Sequence, residues 1–221
     1  MASKKTNTKV IETPVELKQM KLERATVRIK GDSPLIVHAW SEKAKKEILD
    51  KQMGVKKAEK KAYKNPVGDF IDSMYWLTPK PIELTEEAFD EAISKGARFG
   101  FPATAIKQAM QSTAYRAGWE QNQMGLRGGL FISPDVGDCV EIKGCIPVMR
   151  EDMVKVGMGT ADIRYRGEFQ NWYMDLNLTY DSSMYGLDYL VNILNAAGFK
   201  CGIGEWRVEK DGQFGMFHVA V

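Results

Sequence analysis

Residues 172–221, WYMDLNLTYDSSMYGLDYLVNILNAAGFKCGIGEWRVEKDGQFGMFHVAV, decide the fold. They open with strict alternation. Tyr173, Asp175, Asn177 and Thr179 take one side, and Met174, Leu176, Leu178 and Tyr180 the other, which predicts a half-buried strand. Residues 182–198 then place Leu187, Leu190, Val191 and Leu194 at helical spacing, with Gly198 as the expected C-terminus. A loop over 201–217 holds Gly202, Gly204, Gly212 and Gly215, and a last strand runs over 214–221. Strand, helix, loop and strand make half of a layered domain, so the other half must lie upstream.

It does. RATVRIKG (24–31) alternates, with Ala25, Val27 and Ile29 on one side and Thr26, Arg28 and Lys30 on the other. Asp32-Ser33-Pro34 makes a turn, and 35–40 are extended. FGFPATAIKQAMQSTAYRAG (99–118) predicts a helix opened by Pro102. Its apolar face is Ile106, Ala109, Met110, Thr113, Ala114 and Ala117, and its polar face is Lys107, Gln108, Gln111 and Arg116. Residues 138–150 alternate as a strand with a bend at Gly144, after a loop over 120–137. Between the first strand and this helix, 65–79 predict a turn and a short helix carrying Phe70, Met74, Tyr75 and Trp76. TEEAFDEAISKG (85–96) is a helix capped by Thr85 and ended by Gly96. The order implies an α+β chain with a ferredoxin-like, RRM-like βαββαβ core.

Residues 1–23 are expected to be a flexible arm, and 24–221 a single domain with insertions near 41–98 and 151–171. Within the first insertion, 41–64 carry nine lysines against Glu42, Glu47, Asp50 and Glu59. Such a segment has two physical uses, a solvated excursion or a basic flap against phosphates.

Composition narrows the chemistry. Cys139, Cys145 and Cys201 form no CxxC pair, and with His38 and His218 they match no zinc spacing, so neither metal nor cofactor is expected. A net charge of +2 argues against a uniformly basic surface and leaves room for a local stripe. No apolar run is long enough to span a membrane. The N-terminal MASKKTNTKV lacks a signal-peptide pattern, so the expectation is a cytoplasmic protein with no membrane partner. There is no P-loop and no nucleophilic triad.

Three segments now stand in special places: the VRIKGDSPLIVH strand and turn (27–38), the FPATAIK helix entry, and the GIGEWRVEKDGQFGMF loop (202–217). Together they resemble the RAMP superfamily of ferredoxin-like RNA-binding proteins, and within it the backbone subunit that lines guide RNA in CRISPR effector complexes. Pro102, Thr104, Ile106 and Lys107 match its helix entry in type, and Gly202, Gly204, Arg207, Gly212, Phe214 and Gly215 match its glycine-rich loop. The resemblance implies a non-catalytic protein that binds single-stranded RNA, or less favourably DNA. It implies side-by-side assembly with copies of itself, with other effector subunits as further partners, in antiviral defence or in a phage relative. It also makes 151–171 a thumb-like hairpin.

The candidate contacts follow. In the loop, Gly202, Gly204 and Gly212 let backbone approach an anion, Arg207 and Lys210 supply charge, and Trp206 and Phe214 offer stacking faces. The other use of these glycines is to shape a long turn. Lys107 and Gln111 lie one turn apart on the first helix. Lys155, Arg164 and Arg166 carry charge on the hairpin, with Met153, Val154, Met158 and Ile163 as wedges. His38 is either a groove-lining residue or, as in endoribonucleases of the superfamily, a metal-independent acid–base group. Asp32 precedes Ser-Pro-Leu and 35–47 hold no Asp, a departure from target-cleaving relatives. A third reading is a phage-encoded oligomer that acts on DNA or on a defence complex through protein contacts.

Overall fold

A computed structural model describes residues 20–54, 64–122, 124–156 and 160–220. The chain is mixed α+β with antiparallel sheets. Strand β1 (Leu22–Gly31) leads to β2 (Leu35–Val37), then helices α1 (Glu42–Gln52) and α2 (Pro66–Asp72). Strand β3 (Tyr75–Trp76), helix α3 (Glu86–Ser94), strand β4 (Phe99–Pro102) and helix α4 (Ala103–Arg116) follow. Next come α5 (Gly125–Gly129), β5 (Leu130–Ser133), β6 (Cys139–Ile142), β7 (Val148–Val156) and β8 (Thr160–Phe169). The chain closes with β9 (Tyr173–Asp181), α6 (Leu187–Lys200) and β10 (Phe217–Ala220).

The largest sheet has the order β10-β1-β9-β5, antiparallel throughout. Its alternation is the one the sequence predicts. Val27 and Ile29 of β1, and Met174, Leu176 and Leu178 of β9, point into the core, while Arg28 and Asp175 pair on the opposite face. Helices α4 and α6 cover the inner face, with Ile106, Met110, Leu190, Ile193 and Leu194 fully buried there. Each such aliphatic side chain contributes about 1.5–3 kcal/mol.

A second sheet, β2-β8-β7, is built on the long hairpin from β7 to β8. A third, β3-β4-β6, is small. The all-buried β2 is pinned between sheet and loop, and Trp172 beneath Phe217 seals the junction with its indole N–H donated to the Ser33 carbonyl at 2.9 Å.

Several boundaries differ from the expectation. The segment 120–137 is not all loop, because Leu130 and Ile132 alternate inward in β5, which pairs with β9. The strand expected over 138–150 is two strands broken at Gly144, whose φ is +91°, and neither joins the largest sheet. Helix α4 begins at Ala103, since Phe99–Pro102 is strand paired with β6. Tyr75 and Trp76 are strand, beyond α2. The arm expected to reach residue 23 ends sooner, as Leu22 already pairs with Asp181. Gly198 does not end α6. It lies inside the helix because a β-carbon there would overlap the Phe217 carbonyl, and the turn out of the helix uses Gly202 at φ +68°. The lysine-rich stretch is helical over 42–52, and Lys56, Lys57, Lys60 and Lys61 lie outside the described residues.

Candidate nucleic-acid interface

Helix α4 and the loop from Cys201 to Met216 face each other across a cleft of about 460 Å³. One face of α4 lines it with Ala105, Gln108, Ala109, Gln111, Ser112 and Arg116, a stripe that recurs at helical spacing through 105, 109, 112 and 116. The opposite wall is Gly202, Ile203, Gly204, Glu205, Arg207 and Glu209. His38, just after β2, stands at the N-terminal end of that stripe beside Tyr75 and Phe101. It also borders two neighbouring depressions, one against β3 and one against β8, so the three hollows meet at this side chain.

The loop wall is rigidly tied. Glycines 202, 204 and 215 have φ of +68°, +82° and +65°, where side chains are strained. Ile203 N–H donates to Gly215 O, Glu205 N–H to Ile36 O at 2.9 Å, and Gly215 N–H to Pro34 O at 2.8 Å. Phe214 N–H donates to Trp206 O, and Gly212 N–H to Arg207 O. With so many amides satisfied inside the fold, the glycines chiefly set the path of the wall, and charge in the cleft comes from side chains.

Those charges converge on Glu209. Its carboxylate accepts from Ser112 Oγ at 2.8 Å, pairs with Arg116 at 2.9 Å, and accepts from Arg207 Nε and Nη2 at 3.1 and 3.0 Å. Burial, the largest influence, pushes this carboxyl up, but Ser112, Arg207 and Arg116 together outweigh it and hold it below the usual range. Arg127 of α5 adds a third guanidinium, with Nε donating to Gln111 Oε1 at 3.3 Å. Behind the wall, Glu205 sits 3.5 Å from the buried Arg166 and 4.0 Å from His38 Nδ1. Burial first, then the Arg166 charge, lowers the His38 pKa against the opposing pull of Glu205, so the imidazole is neutral near pH 7.

No protein-family model matches the chain, and no curated protein matches it.

The expected contacts scatter over this frame. Gly202, Gly204, Arg207 and His38 are gathered into the cleft. Trp206 is exposed on the rim with φ +52°, and Lys210 is exposed nearby. Phe214 is less free than expected, since the Arg150 guanidinium lies 4.5 Å from its ring centroid. Lys107 is on the far side of α4, its Nζ donating to the Arg127 carbonyl at 2.8 Å. Gln111, expected on the polar face, also lines the cleft, where it is buried and accepts from Arg127.

On the hairpin, Lys155 is exposed and Arg164 half-buried, 3.9 Å from Asp162. Arg166 departs from its expected place on a free basic surface. It is 3 % exposed and held by Asp152 and Glu205. Met158 lies outside the described residues. Of the expected wedge residues, Met153 and Ile163 are exposed and Val154 is half-buried. Asp32 pairs with His218 at 2.6 Å, and neither residue lines the cleft.

Sequence reasoning passed over Arg127, Ser112 and Glu209. Arg127 sits in a glycine-rich segment without periodicity. The one available signal was Glu209 beside Arg207, an acid inside a loop expected to attract anions. Among the described residues, no group of three or more His, Cys, Asp or Glu side chains could hold a metal ion, and no helix is long and apolar enough to cross a membrane.

Proposed function

We propose that this chain is a non-catalytic protein that binds single-stranded nucleic acid, RNA in preference to DNA, in the cytoplasm. It lies side by side with copies of itself along the strand, as a RAMP-type backbone subunit would. The order β10-β1-β9-β5, with α4 leading from β1 toward β5 and α6 joining β9 to β10, supports the ferredoxin-like expectation. The observation that carries the reading is the cleft, lined by Arg116 of the first core helix, Arg207 of the glycine-rich loop and Arg127 of α5. The exposed Met149, Met153 and Ile163 of the hairpin offer an apolar contact for a neighbouring copy.

Filter binding with RNA and DNA oligonucleotides over a salt series tests this. Affinity falls steeply with salt, with a log–log slope near −0.7 for each phosphate neutralised. Arg207→Ala with Lys210→Ala weakens all sequences alike and flattens the slope. Absence of binding to either polymer at low salt refutes the proposal.

A second reading, a metal-independent endoribonuclease, has one observation in its favour: a neutral His38 facing the cleft. Cleavage of RNA in the presence of chelator that disappears in His38→Ala would establish it. Cleavage that survives the substitution, or no cleavage at all, removes it.

A further inference from the structure

The two ends of the cleft differ in chemistry. At the C-terminal end of α4 stand Arg116 and Arg207, joined through Glu209, and Arg127 lines the same cleft against Gln111 at mid-helix. At its N-terminal end stand Tyr75, Phe101 and His38, with the two rings in edge contact at 6.3 Å. Ala105 and Arg116, which bracket the helical stripe, are about 16 Å apart along the axis. Between them the floor is small or neutral: Ala105, Gln108, Ala109 and Ser112. On the loop wall Glu205, an acceptor for the N–H groups of a base, stands beside His38. A hollow cationic at one end and aromatic with one carboxylate at the other matches an anion joined to a flat, hydrogen-bonding ring.

We infer that the cleft holds one nucleotide unit, its phosphate on Arg116, Arg127 and Arg207 and its base on the Tyr75, Phe101 and His38 end. The three guanidiniums outweigh the Glu209 carboxylate and the partial negative charge of the α4 C-terminus together. Glu209 fills the phosphate's place in the free protein, satisfying two arginines that the ligand takes over. The unit comes either from a bound strand or from a free mononucleotide. Only the first source rests on the function proposed above.

The test uses the full chain, a fluorescein-labelled oligouridylate and uridine monophosphate, read by anisotropy and by competition. Arg116 has a side chain 60 % exposed, so Arg116→Ala leaves the core alone. Ala105→Leu fills the aromatic end without changing a charge. Each weakens oligonucleotide binding about tenfold or more. Glu209→Gln keeps one acceptor oxygen for these donors, removes the competing charge and tightens binding about two- to fivefold. Thermal melts show which variants are folded.

Wild-type oligonucleotide binding that is unchanged in folded Ala105→Leu overturns the inference and leaves the proposed function standing. Weaker binding in folded Glu209→Gln also overturns it. If the oligonucleotide does not bind at all, the proposed function fails. The cleft site then stands on uridine monophosphate binding that is lost in Ala105→Leu, and falls if that binding is absent.

Discussion

Gly212 packs against the carbonyl of Trp206 so closely that a β-carbon on it would overlap that group. The contact holds Trp206 at φ +52°, a conformation a bulky residue avoids, and keeps its indole on the rim of the cleft. Gly212→Ala must therefore release Trp206 or distort the loop, costing about 1–3 kcal/mol locally. Hydrogen exchange checks it: amides over 203–215 lose protection while those of β1 and β9 keep theirs.

Gly198→Ala sets two effects against each other. Helix propensity favours alanine by about 1 kcal/mol. The new β-carbon, however, overlaps the Phe217 backbone, which cannot swing aside as a flexible side chain would. The clash wins. The denaturation midpoint falls, and α6 separates from β10 before the helix itself weakens. An unchanged or raised midpoint contradicts this.

His38 gives stability a pH dependence of defined sign. Burial and the Arg166 charge lower its folded pKa, so the unfolded chain takes up the proton first. Its contribution is present above the unfolded value of about 6.5 and declines as pH falls below it toward the lower folded pKa. Thermal melts between neutral and mildly acid pH show the decline, and His38→Gln reduces it.

Arg164 and Arg166 are neighbours with opposite fates. Arg166 is buried, donating to Asp152 at 3.1 Å, while Arg150 bridges Asp152 and Glu168 at 2.8 Å each. Arg166→Ala leaves Asp152 and Glu205 without their buried cation and costs about 3–5 kcal/mol. Arg164→Ala costs no more than about 1 kcal/mol. Urea denaturation separates the two. A nucleic-acid contact at Arg164 shows as weaker binding at unchanged stability.

The legible parts of the fold were those with a strong period. Alternation in β1 and β9 and the apolar stripes of α4 and α6 read directly, because one face of each is buried and the other wet. Strand β5 did not. Four residues beside a run of glycines, with Phe131 exposed, offer one alternation only, and its pairing with β9 comes from tertiary packing. Gly198 was misassigned because a glycine near a helix end has two causes, a left-handed cap or a close approach, and only the position of Phe217 separates them. In the cleft, glycines and arginines of the loop were visible in the sequence. That Arg116, Ser112 and Arg207 meet on one carboxylate was not, since α4 and the loop lie almost a hundred residues apart.

The wall of the cleft is fastened to the second sheet at four points. Pro34 and Ile36 flank and form β2 and accept its amides, Arg150 of β7 covers Phe214, and Arg166 of β8 meets Glu205. From Arg150, which pairs with Arg166 at that base, β7 runs on to Val156, roughly 20 Å at strand rise. The hairpin and the cleft wall are thus coupled through β2 and through the Arg150–Phe214 and Arg166–Glu205 contacts. A displacement of β7 and β8 at Arg150 and Arg166 would therefore shift Phe214 and Glu205, and with them the gap between the loop and α4.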